Sequence, residues 1–270
     1  MKRLLPSLAT LLLATSPALA DEDTDVREGE TPQQRDDRVS AQAGHYAVGL
    51  RVHIGSALDD SFNVIGIEPR ARFNVTDAIS VGACIPLAVS KPDGLAAFGG
   101  ALARAELRLG ATVGAWVDVG FMKHGGILLS QQDAFIYGDD ADYDVAFALG
   151  PWIRAKAGPT YLVIEPAFVY QPGDPEAIAG AQLPVTAMFR AGSVAHIGAM
   201  VGIYTGDDFK LGAEDGGRIG AGLVADVKVS TIKVVLGAGF ASLLTDEMAG
   251  NGYTSVGKSV YVSVGLAYVK

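Results

Sequence analysis

From Gly44 to the end of the chain, hydrophobic positions recur at every second residue. Tyr46, Val48, Leu50, Val52 and Ile54 share one side of an extended segment, and His45, Ala47, Gly49, Arg51 and His53 share the other. Successive side chains of a strand point to opposite faces, so the segment has one apolar face and one polar or small face. The arrangement returns at Ile79, Val81, Ala83, Ile85, Leu87 and Val89, and at Ala111, Val113, Ala115, Val117, Val119 and Phe121. It returns again at Tyr143 to Ile153, Ile219 to Val227 and Val260 to Tyr268. No stretch in this region has the 3.6-residue period of an amphipathic helix.

The spacing predicts about twelve strands, most near the ~9–11 residues that a tilted strand needs to cross a bilayer. They run Gly44–Ile54, Phe62–Val75, Ala78–Val89, Ala96–Leu109, Ala111–Lys123 and Asp142–Ala157. The second half gives Thr160–Tyr170, Gln182–Ala191, Val194–Thr205, Gly217–Val229, Ile232–Leu243 and Lys258–Val269. In a soluble barrel the polar face turns outward. Here that face is mostly Gly, Ala and Ser with occasional Arg, too poor in charge for a solvated exterior, while the other is an almost unbroken apolar stripe. A membrane accounts for both faces. It also demands closure, because an open sheet edge in lipid leaves backbone groups unpaired.

Short turns at Thr76-Asp77, Leu109-Gly110, Gly158-Pro159, Gly192-Ser193 and Ser230-Thr231 alternate with longer connections. The longer ones are Gly55–Ser61, Ser90–Leu95, His124–Ala141, Gln171–Ala181, Gly206–Gly216 and Thr245–Gly257. The expected fold is all-β, a closed antiparallel transmembrane β-barrel with short periplasmic turns and longer extracellular loops. The last strand, with Val260, Val262, Val264, Leu266 and Tyr268 at alternate positions, resembles the C-terminal assembly signal of bacterial outer-membrane β-barrel proteins. In that class the aromatic usually ends the chain, whereas here Val269 and Lys270 follow it. The resemblance implies an outer-membrane location and a barrel-assembly machinery as partner. It names no particular family, and a fold alone does not give a function.

The N-terminus agrees with export. Lys2 and Arg3 precede an apolar run from Leu4 to Leu13, and Ala18-Leu19-Ala20 offers a small-x-small cleavage site. The run is too short for a spanning helix, which needs ~20 apolar residues. Residues 1–20 therefore read as a signal peptide cleaved after Ala20. Residues 21–43, rich in charged and polar residues, read as a flexible acidic leader. Residues 44–270 read as the barrel.

Charge narrows the function. The whole chain has 21 basic and 30 acidic residues, net −9, and loss of Lys2 and Arg3 makes the balance more acidic. General nucleic-acid binding, which needs phosphates neutralised, is a poor fit. The single Cys84 excludes an internal disulfide framework and any thiolate metal cluster within one chain. The face assigned to the lumen is nonetheless basic. It carries Arg51, Arg70, Arg72, Arg104, Arg108, Arg154, Lys156, Arg190, Arg218, Lys228 and Lys233 against Glu68, Glu106, Asp118, Asp144, Glu165 and Asp226. A cationic wall attracts anions and sets selectivity. Equally, these charges can brace the barrel as ion-pair ladders, for which Glu68 with Arg70 and Arg104 with Glu106 are suitably placed.

The reading is thus a narrow channel for small solutes with a preference for anions, set beside a structural or loop-binding barrel with a plugged lumen. The inward Gly82, Gly114, Gly150, Gly198, Gly202, Gly220, Gly222, Gly237 and Gly239 either leave space or let Trp116, Trp152 and Tyr261 pack inside. On the first view, Gly114 should accept serine. An outer-membrane enzyme is the rival from another class. Its requirements find no Gly-x-Ser-x-Gly or His-Glu-x-x-His here, and His124 with Asp133 or Asp140 has no motif to fix its geometry. No enzyme activity and no cofactor are expected. Asp140, Asp142 and Asp144 have the spacing that opens a calcium loop, but Val145 replaces its glycine and Pro151 its final acid.

Overall fold

The computed structural model describes residues 42–57, 63–91, 96–110, 112–123, 143–172, 177–192, 194–205, 209, 218–242 and 259–270, all within the unit 40–270. The expected signal peptide, nearly all of the leader and most of the long connections, with His124 and the loop acids, lie outside the described residues.

Fifteen β-segments form one antiparallel sheet. They are β1 (Tyr46–Ala57), β2 (Asn63–Asn74), β3 (Ile79–Cys84), β4 (Leu87–Lys91), β5 (Ala96–Phe98), β6 (Gly100–Arg108), β7 (Val113–Lys123) and β8 (Tyr143–Ala157). The series continues with β9 (Thr160–Ile164), β10 (Ala167–Gln171), β11 (Ile178–Ala191), β12 (Ala195–Tyr204), β13 (Arg218–Val229), β14 (Ile232–Ser242) and β15 (Ser259–Val269). Segments β3/β4, β5/β6 and β9/β10 are halves of interrupted strands, so the wall has twelve strands. β1 pairs with β15 on one side and β2 on the other, which closes the barrel. The first and last strands are tied at one rim, where Tyr46 and Lys270 exchange backbone hydrogen bonds of 2.7 and 2.9 Å.

All three interruptions have a cause legible in the residues. Pro86 has no N–H for the ladder, and it sits beside the break between β3 and β4. Across from it, Cys84 faces Leu102 whereas Leu87 faces Phe98, so the β5/β6 strand holds one extra residue there. That bulge falls at Gly99 and Gly100, and Gly100 takes φ 136°, a conformation open to glycine and strained for other residues. Between β9 and β10 the break is at Glu165 and Pro166, and the register places Pro166 beside Pro151 of β8 and near Pro184 of β11. Three donors are therefore missing from one stretch of wall. β11 begins at Ile178, four residues before its expected start at Gln182, because Ala179, Gly180 and Ala181 pair with β10 without any apolar alternation to announce it.

The faces divide as the alternation requires. Leu50, Ile67, Val81, Val119, Leu149, Val201, Leu236 and Val264 are among many large apolar side chains exposed on the outside. A continuous apolar exterior of this extent suits lipid and not water. Glu68, Glu106, Asp118, Trp116, Trp152, Gln171, Gln182 and Tyr261 are buried on the inside. Gly114 corrects an expectation. A Cβ there would run into the Trp152 ring and the carbonyl of Leu107, so the position has no room for serine.

Candidate functional site

The inner face of β2, β3, β6, β7 and β8 gathers most of the charge. β2 supplies Glu68, Arg70 and Arg72; β6 supplies Arg104, Glu106 and Arg108; β7 supplies Trp116 and Asp118; β8 supplies Trp152 and Arg154. Between β2 and β6 lies β3, whose inward residues Ser80, Gly82 and Cys84 are small. Long side chains from the two flanking strands therefore meet over it. Arg72 donates from Nη2 to Glu106 Oε1 at 3.0 Å and from Nε to Ser80 Oγ at 3.1 Å.

The pairing differs from the expected one. Glu68 does bind Arg70, its neighbour two residues along the strand. Arg104, in contrast, turns away from Glu106 and donates twice across the ladder to Asp118, Nε to Oδ1 and Nη2 to Oδ2, each at 2.6 Å. Register explains this, because Arg104 lies directly opposite Asp118 and Glu106 directly opposite Trp116. Glu106 instead serves Arg72 and lies 3.6 Å from Arg108 Nε.

Exposure shows which charge faces the interior space. Side chains of Arg70, Arg72 and Arg104 are 45%, 40% and 45% exposed, whereas those of Glu68, Glu106 and Asp118 are 2%, 10% and 5% exposed. Each carboxylate is tucked against the wall beneath its guanidinium. Arg51 lies opposite Glu68 in register. Two guanidiniums also rest on indoles: Arg104 lies 4.4 Å from the Trp116 ring centre and Arg154 lies 4.5 Å from that of Trp152. Arg72 interacts electrostatically with Arg104, Arg108 and Arg154 as well as Glu106, so positive charge is concentrated here. Glu165, at the break between β9 and β10, acts on Arg104 by its charge.

The other expected residues lie apart from this cluster. Arg190 donates from Nε to the carbonyl of Gly192 at 2.9 Å, which ties it to a turn. Asp226 contacts His196 at 3.0 Å and Lys233 at 2.9 Å. Of Arg218 the structure describes the backbone at the start of β13. Glycine and tyrosine make up much of the remaining surface on this side. A Cβ on Gly202 would strike the Tyr204 ring, and one on Gly222 would come within 2.7 Å of the Tyr261 hydroxyl. The Tyr261 ring stacks on His53 at 5.6 Å, and its hydroxyl lies 3.4 Å from Met200 Sδ.

Sequence reasoning did not reveal the guanidinium–indole stacks or the His196–Asp226–Lys233 group. Alternation places those residues on the inner face, but only the inter-strand register brings them together.

No protein-family model matches the chain, and no curated protein matches it. Solved structures do. The NanC porin is 6% identical with a TM-score of 0.54, covering 82% of this chain and 98% of its own. An outer-membrane channel from Pseudomonas putida F1 is 12% identical with a TM-score of 0.53, covering 84% of this chain and 96% of its own. At such identities the likeness establishes the fold, which is that of an outer-membrane β-barrel.

Proposed function

We propose that this chain resides in the outer membrane as a narrow channel for small solutes and favours anions. One observation carries the proposal: the arginines of the ion pairs face the interior while their carboxylates are buried beneath them. Arg stays ionised even when partly desolvated, so a permeating ion meets guanidinium and not carboxylate. The field of such a wall raises the local anion concentration and excludes cations. The half-exposure of these side chains supports an interior that is open beside them. Surrounding lipid and a barrel-assembly machinery are the partners this reading requires, small anionic solutes the cargo; it needs no cofactor and no enzymatic step.

The test is reversal potential in a planar bilayer under a salt gradient. Replacing Arg70 and Arg104 by Gln, together with Glu68→Gln and Asp118→Asn, removes equal numbers of each charge. Selectivity should shift toward cations although local net charge is conserved. A quadruple variant that assembles with unchanged selectivity would remove these arginines from the account. A filled interior is the second reading, favoured by the buried inner cluster of Leu102, Met122, Ala146, Ala148, Ala167 and Val169. On that reading the wild-type protein gives a flat trace. Orientation has its own test: an epitope near Asp208 or Gly250 should be reached by antibody on intact cells, and one at Gly192 only after the membrane is opened.

A further inference from the structure

The two guanidinium–indole stacks are chemically alike and electrostatically different. Trp116 lies opposite Gly150, and Trp152 opposite Gly114, so the two indoles are diagonal neighbours on β7 and β8. Above Trp116, Arg104 is neutralised by its two hydrogen bonds to Asp118. Above Trp152, Arg154 has no carboxylate partner among the described residues. Its Nε and the Trp152 Nε1 are both buried without an acceptor there. A buried donor left unpaired is destabilising, and a ligand that accepts from it removes that cost. Two such donors stand side by side, within the electrostatic reach of Arg72.

We propose that Trp152 and Arg154 form a binding station for the carboxylate of a small organic acid on the inner wall. The proposal deepens the anion-channel reading and rests on it for the ligand's route of entry. A carboxylate has two oxygens and can accept from the guanidinium and the indole N–H together, which supplies both orphaned donors and the missing counter-charge. Chloride can balance the charge but offers a single acceptor centre, whereas a carboxylate offers each donor an oxygen of its own. The indole is fixed in place, because Gly114 beneath it has no side chain and the ring occupies that space. Arg154 is the movable part: in the free protein it rests on the ring, and an arriving carboxylate draws its guanidinium outward and uncovers the Nε1 hydrogen. Arg104 cannot respond in this way while Asp118 holds it.

Because the chain has only two tryptophans, binding can be read without conductance. In a Trp116→Phe protein reconstituted in lipid vesicles, Trp152 is the sole indole. Sodium acetate titrated against sodium chloride at constant ionic strength should change its emission saturably. Arg154→Gln should weaken the response at least tenfold, and Arg154→Lys by less. A response to chloride equal to that for acetate would overturn the proposal, as would a response to inorganic phosphate with none to acetate. If Trp116→Phe does not assemble, the difference between wild type and Trp152→Phe gives the same signal. A saturable response in a protein that conducts no current would support the station while refuting the channel. Conductance without a saturable response would refute the station alone.

Discussion

The inner wall from β2 to β8 and the inner wall from β12 to β15 handle the same constraint by different means. Both back onto lipid, so polar groups on either must find partners inside the barrel. The first wall uses long charged side chains that span strands: Arg72 reaches Glu106 over β3, and Arg104 is clamped to Asp118. The second uses almost no charge in its middle. Glycines at 198, 202, 220, 222, 237 and 239 leave a low surface, and Tyr204 and Tyr261 lie close against it. In the proposed channel a solute would meet guanidinium on one side and aromatic rings with bare backbone on the other. On that proposal, electrostatic selection falls to the first wall and shape to the second.

The largest effects should come from the outside, where the walls are alike. Leu149→Lys on β8 and Leu236→Lys on β14 each place a charge on the lipid face, at a cost of about 2–4 kcal/mol near mid-membrane. Both should impair assembly, read as loss of the mobility difference between heated and unheated samples on a gel. Full tolerance at one of the two positions would mean that the walls differ outside as well, and that the comparison is drawn in the wrong place.

Next comes the charged wall itself. Arg104→Gln takes from buried Asp118 the guanidinium that donates to it twice. Breaking a fully buried pair costs about 3–5 kcal/mol, and the half-exposure of Arg104 lowers the expectation to about 2–3 kcal/mol. Adding Asp118→Asn should restore most of the loss in denaturant titrations of vesicle-inserted protein. A single variant as stable as wild type would show that the pair does not brace this wall.

Much of this barrel is written in the chain, and the reason is physical. Lipid outside and polar interior impose a period of two on every strand, which is why Val117, Val119 and Phe121 could be assigned outward and Trp116 and Asp118 inward from spacing alone. Arg51, Glu68, Arg70, Arg72, Arg104, Glu106 and Asp118 share one face of the sheet by register, and that they line a pore belongs to the proposal. What alternation cannot carry is register. Arg104 chooses Asp118 over Glu106 because β6 and β7 are offset so that those two residues face each other. Space is equally hidden. Gly114 reads equally as an empty position or as room for an aromatic ring, and the structure fills it with Trp152 of the next strand. The breaks at Pro86 and Pro166 were visible as residues, but their consequence, a strand split in two, depends on what the neighbouring strands offer.

The glycine wall should respond to added volume and not to lost charge. Gly202→Ala puts a methyl group where the Tyr204 ring lies, and overpacking of this kind costs about 1–2 kcal/mol. Tyr204→Leu should recover stability in that background, since the shorter side chain vacates the contact. If Gly202→Ala is neutral alone, the tyrosine is free to move and the wall is not shaped by it.

The smallest effect is expected at Tyr261, and it separates ring area from hydrogen bonding. Its ring stacks on His53 with an interplanar angle of 9°, while its hydroxyl reaches, among the described residues, the sulfur of Met200 at 3.4 Å, a weak acceptor. Tyr261→Phe keeps the ring and the stack and loses only that contact, so stability should fall by about 0.5 kcal/mol, the low end for a hydrogen bond. Tyr261→Ala removes the ring as well and should cost several times more. Measured side by side in vesicle denaturation, the two variants state what holds the second wall. A Phe variant as damaged as the Ala variant would mean that the hydroxyl anchors the ring, and that polar pairing governs both walls after all.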